Sequence, residues 1–179
     1  MTRQQLEHLI RAAAVIADDD ELVVIGSQSI LGQYPDAPQT LLVSVEADLY
    51  PRNHPDRADL IDGTIGELSP FHDTYGYYAQ GVGPTTAILP ANWENRLVAI
   101  RNENTRWATG LCLEAHDLLL AKYAAGRDKD LRFTQEAVRH ALVHRAVLEE
   151  RLPSMHLEDA HRDLIAKRIE RDFAATADT

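Results

Sequence analysis

The sequence predicts a mixed α/β (α+β) fold: a β-sheet core flanked by helices and followed by a C-terminal helical extension. Three observations carry this. A short apolar run, Leu22-Val23-Val24-Ile25, ends at Gly26 in the pattern of a buried strand. Residues 75–113 break into short β-like runs separated by Gly, Pro or Asn. From Glu114 onward the chain is rich in Ala, Leu, Glu and Arg, with apolar residues at helical spacing.

Leu6, Ile10, Ala13, Ala14 and Ile16 predict a helix over 3–17, broken by Asp18, Asp19 and Asp20. The strand at 22–25 follows, and Ser27 or Ser29 is placed to cap a short helix running to about Tyr34. Pro35 and Pro38 bound a loop. Residues 41–50 read as one or two strands closed by Pro51, and 55–66 as a helix with Pro55 in its first turn. A β meander is expected over 75–82, 85–89, 96–100 and 107–113. Helices are expected over 114–125, 129–151 and 156–175, with Gly126 capping the first and Pro153 separating the last two. The expected organisation is a core over 1–113 with a helical part over 114–179 packed on it as one domain.

The chain has 179 residues, 45% of them hydrophobic, enough for a sizeable core. No apolar run approaches the roughly 20 residues of a membrane span. The N-terminal MTRQQLEHLI lacks a signal peptide's apolar stretch, and the lone Cys112 excludes an intrachain disulfide. These features predict a cytoplasmic protein. A net charge of -10 argues against broad, sequence-independent nucleic-acid binding. Residues 1–114 carry sixteen acids against seven basic residues, whereas 115–179 carry twelve against eleven. An acidic front half suits divalent cations as well as a solvated surface, and the balanced rear half suits phosphates.

Gly26 follows a strand and precedes a helix, so free N–H groups and a small residue meet there, with the Ser27 hydroxyl beside them. A plain turn has the same pattern. Gly-Lys-Ser/Thr is missing, which excludes a P-loop, and no G-x-G-x-x-G occurs. Glu46 and Asp48 sit at i and i+2 of a strand-like segment, hence on one face roughly 6.6 Å apart. Carboxylates so placed can hold two cations about 3.5–4 Å apart. All-oxygen ligands suit Mg²⁺ or Mn²⁺, which accompany triphosphates. Alone, E-x-D is also an ordinary solvent-facing strand.

Together, a strand ending in Gly-Ser, a short helix and an acid-x-acid strand about twenty residues on resemble the arrangement found in nucleotidyltransferases. The segments VVIGSQSIL, SVEADLYP, IDGTIGELSPFHDTYGYYAQGVGP and LEAHDLLLAKYAAGRDKDLRF resemble the minimal nucleotidyltransferases related to the AbiEii toxin group, over about residues 22–133. The resemblance implies transfer of a nucleoside monophosphate from an NTP to an RNA, tRNA, protein or small-molecule hydroxyl. It implies Mg²⁺ or Mn²⁺ on Glu46 and Asp48, and nucleotide contacts from Gly26, Ser27 and Ser29. It further implies that Lys122 grips the triphosphate, Asp130 supports the site and Arg127 adds a phosphate contact. A toxin role with a cognate antitoxin falls within it. The chain departs from the group in having Glu46 where Asp is usual and no evident third carboxylate, since neither Glu94 nor Glu103 has a motif around it. Those departures favour a non-catalytic nucleotide- or partner-binding module with the same fold. An aminoglycoside-type modifying enzyme is a third alternative, compatible with the acidic front half.

Other constellations read as structure. His140 and His144 lack the Glu of H-E-x-x-H and are expected on the surface or in packing. Cys112 lies in an apolar run and is expected in the core. Ser69, His72 and Asp73 are neighbours in sequence, which does not make a triad. Tyr75, Tyr77 and Tyr78 are expected to pack rather than stack on a base. Arg162, Lys167, Arg168 and Arg171 alternate with acids as on a solvated face.

Overall fold

The computed structural model describes residues 1–177. The chain forms two compact units, one of Met1–Thr86 with Arg96–Glu114, the other of Ala87–Asn95 with the residues from Ala115 onward.

The first unit begins with α1 (Arg3–Ala17). Thr2 and Gln5 form a reciprocal capping box that satisfies two of the helix's free N–H groups. Leu6, Leu9, Ile10, Ala13 and Ala17 form its buried face. Asp19 then fixes the chain as it enters the sheet. Its carboxylate accepts N–H groups from Glu21, Asn53 and His54, so one side chain joins the start of one strand to the residues following another.

The strands are β1 (Glu21–Val24), β2 (Glu46–Pro51), β3 (Tyr78–Gly81), β4 (Val98–Ile100) and β5 (Thr109–Cys112). They form one mixed sheet in the order β3-β2-β1-β5-β4. The central β1 is antiparallel to β2 and parallel to β5, and Leu22, Val23 and Val24 are all buried, as its continuous apolar run predicts. Helix α1 lies close to the sheet: a side chain at Gly110 of β5 would collide with Ile10.

The expected meander does not form. β3 pairs in parallel with β2 at one edge, while β4 and β5 make an antiparallel pair at the other. Residues 85–89 form no strand. A 3-10 turn at Ser27–Ser29 leads into α2 (Ile30–Gln33) with no side-chain cap. The side-chain cap expected from Ser27 or Ser29 is therefore absent: Gly26 precedes the 3-10 turn, and Ser29, at the cap position of α2, makes no capping bond. α3 (Ala58–Ile65) follows a 3-10 turn at Pro55–Arg57. An additional helix, α4 (Pro70–Tyr75), is capped by Ser69, whose hydroxyl accepts from His72 N, and ends at Gly76 with φ 73°. Ser69 and His72 thus meet as a helix cap.

The second unit contains α5 (Ala115–Ala125), α6 (Asp128–Arg139), α7 (Arg145–Arg151) and α8 (Asp159–Ala177). The single helix expected over 129–151 is broken: α6 ends at Arg139, and Ala141 has φ 53°. Gly126 closes α5 at φ 66°, as its position predicts. Buried polar contacts tie these helices together. Tyr123 and Thr134 both donate to Asp172, and Arg151 donates to the fully buried Asp117. Among the described residues no helix is long and apolar enough to cross a membrane.

Candidate active site

The antiparallel pairing of β1 with β2 sets Gly26 beside the two acids. Ile25 N donates to Asp48 O at 2.9 Å, so the ladder continues one step beyond Val24 and delivers Gly26 to the start of β2. The Asp48 carboxylate lies directly over Gly26: a Cβ there would fall 2.7 Å from Asp48 Cγ and overlap its Oδ2. The backbone at Gly26 is extended (φ -83°, ψ -166°), open to any residue. Glycine is needed for the close approach alone.

Glu46 lies two residues before Asp48 on β2, on the same face. Its Oε2 accepts a hydrogen bond from the Tyr78 hydroxyl at 3.0 Å. The two are register partners on β2 and β3, which makes the contact a product of sheet pairing. Tyr78 is buried, with its ring 4.6 Å from that of His72 on α4. Burial, the hydrogen bond to Glu46 and the charges of Glu46, Glu67 and Asp48 push its phenol up to about 12. Near neutral pH it is therefore a protonated donor that holds the longer of the two acids. The sequence predicts packing for Tyr78, and the packing is seen, but the bond to Glu46 has no local signal because it arises from parallel register.

The β3 partner of Asp48 is Gln80, an exposed neutral side chain, so no third acid stands opposite it. Glu103 lies in the β4–β5 loop at the far end of the sheet, and Glu94 belongs to the second unit. Of the serines, Ser27 is partly exposed, whereas Ser29 is fully buried with a hydroxyl that makes no hydrogen bond among the described residues. Gly26, Ser27, Glu46 and Asp48 thus gather at one end of the sheet, and Ser29 turns inward. Among the described residues no three His, Cys, Asp or Glu side chains form a ready-made metal nest. Two carboxylates on one face still fit Mg²⁺ or Mn²⁺, since such ions are commonly held by one or two carboxylates plus substrate phosphates.

In the second unit, Lys122 on α5 is buried, its Nζ 3.2 Å from Asp130 Oδ1 and 4.5 Å from the centre of the Phe133 ring. Arg127 Nε donates to the other oxygen of Asp130 at 2.6 Å, with most of its own side chain exposed. Burial opposes ionisation of Asp130, but the Arg127 hydrogen bond and the Lys122 charge outweigh it and hold the carboxyl below its usual range. Lys122, Arg127 and Asp130 thus form one charge cluster. His140 and His144 do not share a helix face. The His144 ring instead stacks against that of His116 at 5.9 Å, and the His144 backbone N–H donates to His116 Nε2.

Residues 4–176 match a family described as "Nucleotidyltransferase of unknown function (DUF6036)". No curated protein and no solved structure matches the chain.

Proposed function

The chain belongs to that nucleotidyltransferase family, and from this premise we propose that it moves a nucleoside monophosphate from an NTP to a hydroxyl acceptor. The acceptor oxygen bonds to the α-phosphorus, the bond from that phosphorus to the bridging oxygen breaks, pyrophosphate leaves and the hydroxyl proton passes to solvent. Glu46 and Asp48 are the carboxylates that would hold Mg²⁺ or Mn²⁺. When bound, the metal supplies Lewis-acid polarisation of the phosphates and offsets their charge. The supporting observation is the Asp48 carboxylate seated over Gly26, with Glu46 on the same face.

Each residue then has a physical task. Gly26 leaves room for the Asp48 carboxylate. Ser27 offers a hydroxyl donor. Tyr78 holds Glu46 in one orientation and compensates for its extra methylene, because a tethered side chain loses less entropy on binding. In the second unit, Lys122 would meet the triphosphate and Arg127 a further phosphate, with Asp130 holding both side chains. Incubation with each labelled NTP, Mg²⁺ or Mn²⁺, and pools of RNA, protein and small-molecule acceptors tests this function. Label transfer lost in Asp48→Asn supports it.

The resemblance to the AbiEii group extends the proposal to a cytoplasmic toxin paired with an antitoxin. Growth arrest on expression of the wild type but not of Asp48→Asn tests that extension. A second reading, a nucleotide-binding module without turnover, is favoured by the neutral Gln80 opposite Asp48. It predicts metal-dependent NTP binding with no transfer to any pool.

A further inference from the structure

The loop joining β4 to β5 holds a large exposed ring in a costly conformation. Trp107 is 56% exposed, and it and Arg106 are consecutive non-glycine residues at positive φ, 66° and 50°. Such backbone is costly for residues that carry a side chain and persists only where the surroundings impose it. Here they do. The fully buried Thr105 exchanges hydrogen bonds with Asn102, and Trp107 N donates to Asn102 O. Asn102 and Asn104 both donate to Glu7, a buried carboxylate on α1. Arg11 Nη1 donates to Asn104 O, and Arg101 Nε donates to Trp107 O. These hydrogen bonds fix the backbone from which the exposed ring projects.

Guanidinium groups lie beside it. The Arg101 guanidinium lies 5.5 Å from the centre of the Trp107 ring, Arg106 precedes it, and Arg11 reaches the same loop. Arg11, Arg101 and Arg106 come together at this loop, whose acids are Glu103 and the buried Glu7, the latter already engaged by Asn102, Asn104 and Arg3, with Asp20 and Glu21 beside the start of β5. β5 runs parallel to β1 and starts opposite Glu21, so this loop lies at the end of the sheet away from Gly26 and Asp48. A protein hot spot surrounds its anchor with contacts that exclude water. Trp107 is flanked by guanidinium and amide groups instead, the pairing of stacking surface and charge that suits bases and phosphates.

We propose that this loop is a docking site for single-stranded nucleic acid, in which a base stacks on Trp107 and phosphates meet Arg11, Arg101 and Arg106. The site is local, which reconciles it with a net charge of -10. It stands independently of nucleotidyl transfer, because binding here needs neither NTP nor metal.

The test is fluorescence titration of the full chain in a Trp93→Phe background, where Trp107 is the only indole, with single-stranded RNA of about eight nucleotides. Expected are quenching of the indole, a log–log salt slope of about -2 for three single-strand phosphate contacts, and affinity weakened roughly 5- to 150-fold in Trp107→Ala. Trp107→Phe should retain most of the affinity. Arg106→Gln provides a second variant that leaves the ring in place and should flatten the slope by about 0.7. Absence of quenching, or affinity unchanged in both Trp107→Ala and Arg106→Gln, overturns the proposal. So does equal binding of a duplex of the same length, or displacement of the RNA by a polyglutamate peptide of equal charge, which would mark the loop as a protein contact.

Discussion

The Asp48 carboxylate occupies the space that a side chain at Gly26 would fill, so the two positions constrain one another. Gly26→Ala should therefore destabilise the first unit by about 1–3 kcal/mol through overpacking. In an Asp48→Ala background the penalty should shrink, because the overlapping oxygen is gone and only Asp48 Cβ, 3.0 Å away, remains close. Urea unfolding of the four proteins checks this. Additive penalties would show that the carboxylate can move aside freely.

Tyr78→Phe removes the donor to Glu46 Oε2 and leaves the ring in place. Stability at pH 7 should fall by about 1 kcal/mol or less, since Glu46 is partly solvated. Mn²⁺ affinity in the presence of a non-hydrolysable NTP should weaken several-fold. The folded phenol sits at about 12, above the ordinary value of 10.0. Its contribution is complete below pH 10 and is lost as the pH rises toward 12. Chemical unfolding at pH 9 and 11 should show a smaller drop for Tyr78→Phe than for the wild type.

Three carboxylates lie below their usual range for a shared reason. Burial resists ionisation of Glu7, Asp19 and Asp130, and hydrogen bonds outweigh it: from Asn104, Asn102 and Arg3; from Asn53, Glu21 and His54; and from Arg127 and Lys122. Depressed folded pKa values make the stabilisation complete above the unfolded carboxyl range and progressively lost as pH falls below about 4. Urea midpoints should drop steeply from pH 5 to pH 3. Asp19→Asn, less stable at pH 6, should show a shallower decline.

Lys122→Met keeps the stem and removes the charge beside Asp130, which retains Arg127. Because Lys122 is assigned to the triphosphate, NTP affinity should weaken by about 1.5–3 kcal/mol. Isothermal titration separates this from a structural role, which would lower the melting temperature and leave affinity unchanged.

Much of the site's geometry was legible because its signals are local. The apolar run 22–25 stopping at Gly26 gave β1, and the i, i+2 spacing put Glu46 and Asp48 on one face. Gly126 gave the end of α5. Strand pairing was not legible. β3 joins β2 while β4 joins β5, so the Glu46–Tyr78 contact, 32 positions apart, arises from register that no local pattern encodes. α4 is only six residues long, and of the tyrosines it takes Tyr75 alone, where the Ser69 cap and Gly76 stop outweigh strand preference, while Tyr78 enters β3 within the run expected as β. The break after Arg139 lies in Ala141, whose left-handed backbone its residue type does not announce.

Asp48→Asn tests the central claim most directly. Wild type and variant, matched for melting temperature, are incubated with α-labelled NTPs, Mg²⁺ or Mn²⁺ and a total-RNA or lysate pool. Label transferred by the wild type and absent from the variant is the predicted result, with stability unchanged or raised as repulsion between the two acids is relieved. Transfer at the wild-type level by a folded Asp48→Asn protein would contradict the assignment of the metal-holding carboxylates and the mechanism built on them.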